Sequence, residues 1–227
     1  MKQPAPDVVV LAARGETKAL ALVLPGGKTD SFDPADLRQL AAVRMAPIAR
    51  ALARRGRDAG LAVWTLRYRY RGWNGEQASP VADTRWALDE VRRRHGDVPV
   101  VLVGHSMGGR TAMRAADDPS VRAVLGLAPW LPDDEPVEPV RDRLVLIAHG
   151  TIDTVTSPRA ARGFARRAEP LAARVGFVSV YGDVHALFRW RAWHRLSVQF
   201  VLGALGLAPM SARVQRAFDR GPAGIAI

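Results

Sequence analysis

The 227-residue chain contains no cysteine, which excludes a disulfide framework, a thiolate metal site and a cysteine nucleophile. It also lacks a long hydrophobic run. The richest stretch, 196–208, is interrupted by Gln199 and followed by Pro209, short of the roughly 18 apolar residues that a spanning helix needs. The N-terminal segment offers one lysine and a six-residue apolar run at 8–13, too short for the apolar core of a secretory signal. These absences predict a soluble, cytoplasmic protein with no membrane span.

Lysine is scarce too, found only at Lys2, Lys18 and Lys28, yet the formal net charge is +11. Arginine supplies it. Such a charge raises the question of a polyanionic partner, but the arginines are spread over several segments (Arg54, Arg55, Arg92, Arg93, Arg94, Arg166, Arg167) without a basic arm. The expectation is solvated helix faces and no nucleic-acid partner. A hydrophobic content of 48% fills a substantial core and, at this length, predicts a single domain over 1–227.

Short β-branched apolar runs at 8–13, 19–24, 61–66, 98–103, 121–127, 144–148 and 175–181 alternate with helical patterns near 36–55, 81–95, 107–117, 157–169 and 186–205. Pro47 is expected to kink the first helix. This alternation predicts an α/β fold of about seven strands, mostly parallel, with helices on both faces. The runs at 98, 121 and 144 are almost purely apolar, as doubly buried strands are. Only Arg14, Gly15 and Glu16 stand near the join of the first two runs, so these read as an antiparallel hairpin at the sheet edge. The stretch 129–139 reads as a loop, and 221–227 as a loose tail.

Gly104-His105-Ser106-Met107-Gly108 follows an apolar strand and opens a helical pattern. A GxSxG turn in that context holds a serine with its Oγ exposed at the strand end and the next N–H aimed at a developing oxyanion. With 8 serines and 20 glycines in the chain, chance supplies such a motif about 0.06 times. Here the sequence resembles the α/β-hydrolase superfamily, from Ala19 to about Leu205. GHSMGG is a common elbow form there, and Tyr70-Arg71-Gly72-Trp73-Asn74-Gly75 is similar to an Arg-Gly-aromatic-x-Gly loop that many members carry. The α/β-hydrolase fold, a mostly parallel sheet with an antiparallel edge, is what the resemblance implies.

A serine hydroxyl needs a base, and the base needs an acid to fix its tautomer. The chain order in this fold is serine, acid, histidine, each at the carboxyl end of a strand. Asp153, in His149-Gly150-Thr151-Ile152-Asp153, and His185, in Tyr181-Gly182-Asp183-Val184-His185, occupy those places and resemble the family's acid and histidine loops. His95, His105, His149 and His194 are worse placed. Asp183 reads as a turn residue and is the competing acid. Met107 N–H is one expected oxyanion donor. The other comes from Leu24-Pro25-Gly26-Gly27-Lys28, where Pro25 replaces the family's usual histidine, so Gly27 is favoured and Lys28 stays open. Trp130 and Trp73 are candidate substrate-binding walls, with packing onto the core as the equal alternative.

Only about 15 residues separate the strand ending at Leu127 from the next, leaving no room for an inserted cap. The expected activity is that of a carboxylesterase-like serine hydrolase acting on a small-molecule ester or thioester, without cofactor or metal. Within the superfamily the chain is similar to dienelactone-hydrolase-like and bacterial polyesterase-like members. Peptidase chemistry, cofactor-free haloperoxidase chemistry and a non-catalytic anion-binding module are the alternatives. Acyl specificity and oligomeric state are not encoded in any motif of the chain.

Overall fold

A computed structural model of the chain describes residues 4–227. Eight strands form one sheet: β1 (Asp7–Leu11), β2 (Ala19–Leu24), β3 (Leu61–Arg67), β4 (Val100–His105), β5 (Val121–Leu127), β6 (Leu144–Gly150), β7 (Arg174–Val180) and β8 (Ile225–Ala226), in the order β1-β3-β2-β4-β5-β6-β7-β8. All neighbours are parallel except β1 and β3. The helices are α1 (Leu40–Gly56), α2 (Ser79–His95), α3 (Met107–Arg114), α4 (Pro158–Ala168), α5 (Trp190–Ala204) and α6 (Ala212–Asp219).

Strand pleating sends alternate residues to opposite faces, and the two cores follow from it. Leu20, Leu22 and Leu24 of β2 join Trp64, Leu88 and Phe164 on the face covered by α2, α3 and α4. Ala19, Ala21 and Val23 join Met45, Trp193 and Phe200 beneath α1, α5 and α6. None of the helices of residues 4–227 is long and apolar enough to cross a membrane.

Three expectations need correction. β1 and β2 do not form a hairpin: β1 pairs antiparallel with β3. β2 is buried at all six positions, so it takes an interior place between β3 and β4, and the half-exposed β1, with Val9 and Val10 open to solvent, becomes the edge. The connecting residues cross the start of β3 instead of turning tightly, with Arg14 N–H donating to Arg57 O and Lys18 N–H to Gly60 O. Second, the first helix starts at Leu40, because Ser31, Asp33 and Ala35 pair with the backbone of Arg69 to Gly72. The helix runs unbroken through Pro47. Third, 221–227 is not a loose tail. β8 pairs with β7, and Ile227 exchanges backbone hydrogen bonds of 2.9 Å with Ser179 and Tyr181. Without it the long β7 would present an unpaired edge. The helix α6, which the sequence reading omitted, leads into this strand. Its start is capped by Ser211 Oγ accepting from Val214 N–H, and it buries Val214, Ala217 and Phe218.

The registers Leu24↔Gly104, His105↔Leu127, Leu127↔Ala148 and Gly150↔Val180 bring the carboxyl ends of β2, β4, β5, β6 and β7 to one edge of the sheet. The loops that follow these ends meet there.

Candidate active site

Ser106 joins β4 directly to α3 and sits at φ 56°, ψ −121°, a conformation that costs a side-chain-bearing residue about 1–3 kcal/mol. Its neighbours make the turn geometrically possible. A Cβ on Gly104 would collide with the Gly108 carbonyl, and one on Gly108 with the Leu24 carbonyl. The turn is also pinned by hydrogen bonds from Ser106 N–H to Leu127 O at 3.1 Å and from Trp130 N–H to Ser106 O at 3.0 Å.

Met107 N–H opens α3 and has no partner among the described residues, as expected at a helix start. The loop after β2 passes beside it. A Cβ on Gly26 would lie 3.3 Å from Ser106 Cβ, and one on Gly27 would strike the Met107 side chain and the Arg71 carbonyl. Gly27 N–H also lacks a partner among the described residues, whereas Lys28 N–H donates to Arg71 O at 2.8 Å.

His185 Nδ1 lies 2.9 Å from Asp153 Oδ2. The carboxylate is buried and heavily bonded. It accepts from Val155 N–H at 2.8 Å and Thr156 N–H at 3.0 Å through Oδ1, while His149 Nε2 lies 3.2 Å from Oδ2. Thr156 Oγ1 lies 3.0 to 3.2 Å from Asp153 Oδ2, His149 Nε2, His185 Nδ1 and Ala128 O. Burial alone would raise the Asp153 carboxyl, but hydrogen bonds from the two histidines and the Thr156 and Val155 amides outweigh it and hold it well below the ordinary carboxylate range.

His105 connects the elbow to the histidine loop. Its Nε2 donates to the His185 carbonyl at 3.0 Å, and the two rings lie 4.7 Å apart. Burial, with His185 adding to it, pushes His105 down to about 3, so the ring is neutral at physiological pH. Ser106 Oγ makes no hydrogen bond to His185, and catalytic bonds of this kind commonly tighten only with substrate. Asp183 is committed elsewhere: it accepts from Phe188 and Arg189 N–H and from Trp193 Nε1.

Of the two tryptophans, Trp73 is buried and Trp130 half-buried. They meet edge to face at 6.2 Å, and the Arg110 guanidinium packs over both rings, 4.0 and 4.6 Å from their centres. Arg110 and Arg114 both bond the buried Glu135. Sequence reasoning missed this cluster, and it treated His149 only as a rival base. No sequence signal marked the His149–Asp153 pair, because His149 ends β6 and a non-helical turn brings Asp153 back to it. Among the described residues no three His, Asp or Glu side chains converge as metal ligands.

Comparison with known proteins agrees with this fold. A profile described as the alpha/beta hydrolase family matches residues 11–226. No curated protein matches the chain by sequence. Among solved structures, an alpha-beta serine hydrolase homologue from Coxiella burnetii superposes with a TM-score of 0.67 at 18% identity, covering 86% of this chain and 91% of that one. Est1E from Butyrivibrio proteoclasticus with ferulic acid bound gives 0.66 at 15% identity, covering 88% and 96%. A serine hydrolase without lid from Xanthomonas campestris gives 0.59 at 19%, covering 86% and 89%. At these identities the likeness is one of fold.

Proposed function

The chain belongs to the alpha/beta hydrolase family, and on that premise we propose that it is a serine hydrolase that cleaves a carboxylic ester or thioester through an acyl-Ser106 intermediate. The observation that carries the reading is the 2.9 Å contact between His185 Nδ1 and a buried, ionised Asp153, beside a strained Ser106. Asp153 holds the proton on Nδ1, leaving Nε2 of His185 as the base that takes the Ser106 hydroxyl proton and later returns it to the leaving group. Because the carboxylate stays ionised, it also stabilises the imidazolium formed in between.

The oxyanion donors are Met107 N–H and Gly27 N–H. Gly27 is preferred to Lys28 because the Lys28 amide is spent on Arg71. Thr156 and His149 are positioning residues that fix the Asp153 carboxylate. Trp130 offers apolar surface to the acyl group, and Trp73 supports it from beneath Arg110. In this reading the chain is one catalytic domain without a cap, since residues 128–143 between β5 and β6 hold only a loop and one 3-10 turn at Glu138–Val140.

The test is release of p-nitrophenol from p-nitrophenyl butyrate together with labelling by a fluorophosphonate. Ser106→Ala is expected to abolish labelling and lower kcat by about 10³-fold or more. Hydrolysis that survives this substitution overturns the assignment.

A further inference from the structure

Three depressions run end to end over the face of the sheet covered by α1 and α5. The first, of about 340 Å³, adjoins the histidine loop and lies between Arg44, Ile48, Leu187, Trp190, Trp193 and His194. The second, of about 540 Å³, shares Trp190 and His194 with it and adds Arg54, Arg55, Arg191 and Arg195. The third, of about 370 Å³, shares Arg191 and Arg195 with the second and adds Arg189, Arg213 and Arg216. The shared walls make one track. Its mostly apolar end is lined by Leu187, which follows His185 by two positions in the chain, and its other end is lined by arginines.

Among the described residues, most of the charge along this track has no internal partner; Arg189 alone of the third depression's arginines is tied, donating to the Tyr181 and Ile227 carbonyls. α1 and α5 hold six arginines and no aspartate or glutamate. The one acid of α6, Asp219, pairs with Arg174. Among the described residues, Arg54, Arg55, Arg191, Arg195, Arg213 and Arg216 form no ion pair. Arg191 and Arg195 stand at i, i+4 on one helix face, a like-charge spacing that works against the helix. Arg191, Arg195, Arg213 and Arg216, four guanidiniums without an ion pair around a space of about 370 Å³, call for more than one negative charge, and their forked donors match phosphate oxygens.

We propose that this track holds the leaving-group arm of the substrate, which is an acyl thioester or ester of an extended carrier ending in phosphates. The inference rests on Ser106 being the nucleophile. The apolar first depression takes the uncharged part of the arm, and the phosphates go to the arginines around it: Arg191 and Arg195 on the same turns of α5, Arg54 and Arg55 on α1, and Arg213 and Arg216 on α6. In the reaction, the acyl carbon–sulfur (or carbon–oxygen) bond breaks as Ser106 Oγ bonds the acyl carbon. The carrier departs as the thiol or alcohol with the proton that His185 took from Ser106, and water then frees the carboxylic acid.

The experiment compares butyryl-coenzyme A with S-butyryl-N-acetylcysteamine, the same thioester without phosphates, and uses p-nitrophenyl butyrate as the reference. The coenzyme A thioester is expected to show a KM at least about tenfold lower than the truncated one in low salt, a gap that narrows as salt rises. In the double variant Arg191→Glu, Arg195→Glu the ratio of the two KM values is expected to fall toward one. Equal KM values in the parent protein, or a variant that leaves the ratio unchanged, overturns the inference. Should the variant instead lose co-sedimentation with phosphatidylglycerol vesicles while the KM ratio stays fixed, the face is a membrane surface and the proposal fails. Ser106-dependent turnover of the p-nitrophenyl ester without discrimination between the thioesters removes only this inference. No Ser106-dependent turnover of any of the three removes the hydrolase reading itself.

Discussion

The two faces of the sheet use the same arginine-rich composition in opposite ways. On the side of α2 and α3, charges are paired. Asp83 bonds Arg69, Glu90 bonds Arg93 and Arg94, and the fully buried Glu135 bonds both Arg110 and Arg114. The Arg93 and Arg94 guanidiniums hold Glu90 down to about 2. On the side of α1 and α5, the helices carry no acid, and the buried Asp183, which accepts from the Trp193 indole of α5, bonds only neutral donors. α4 also lacks acids, but its Arg162 and Arg167 are tied to backbone carbonyls. Where charge is buried it braces the loop that packs over the elbow helix; where it is left open it is available to a ligand.

The largest break in this contrast is Glu135→Ala. It strands two partly buried guanidiniums, and an unpaired buried charge costs about 3–5 kcal/mol, so urea unfolding is expected to shift by that amount. Asp183→Ala removes an acceptor from the Val184, Phe188 and Arg189 amides and the Trp193 indole. A loss of about 2–3 kcal/mol is expected, again read from the denaturation midpoint.

A pH titration sharpens the comparison at His105, a buried ring that burial first, then His185 and Arg44 of the cationic face, push down to about 3. Between this value and the ordinary histidine range near 6.5 the unfolded chain binds a proton that the folded one refuses, so stability falls as pH drops through that window. The slope from one such group is at most about 1.4 kcal/mol per pH unit, and His105→Gln is expected to reduce the measured slope by that share. Asp153 acts in the same direction at lower pH, because its depressed carboxyl lends stability that disappears only as acid reaches its folded value. The smallest effect is expected at Arg54→Ala, an arginine without an acidic partner, where unfolding should move by less than about 0.5 kcal/mol. A larger loss would show that the open arginines serve the fold.

Much of this molecule was legible in its sequence because the relevant physics is local. The doubly buried strands announce themselves as apolar runs, and the glycines around Ser106 mark a turn whose sterics involve only residues 104 to 108 and the end of β2. Counting from strand ends, with the chain order of the resembled family, brings Asp153 and His185 to one edge, because a parallel sheet collects those ends there, and the two lie 2.9 Å apart. Tertiary structure decided what depends on distant segments. β1 pairs with β3 because β2 needs neighbours on both sides. The last residues are ordered by the free edge of β7, and His149 reaches Asp153 across a turn whose shape no periodicity encodes. The arginines of 44–55 and 191–216, scattered along the chain, become one cationic track only because α1 and α5 pack against each other on the same face of the sheet.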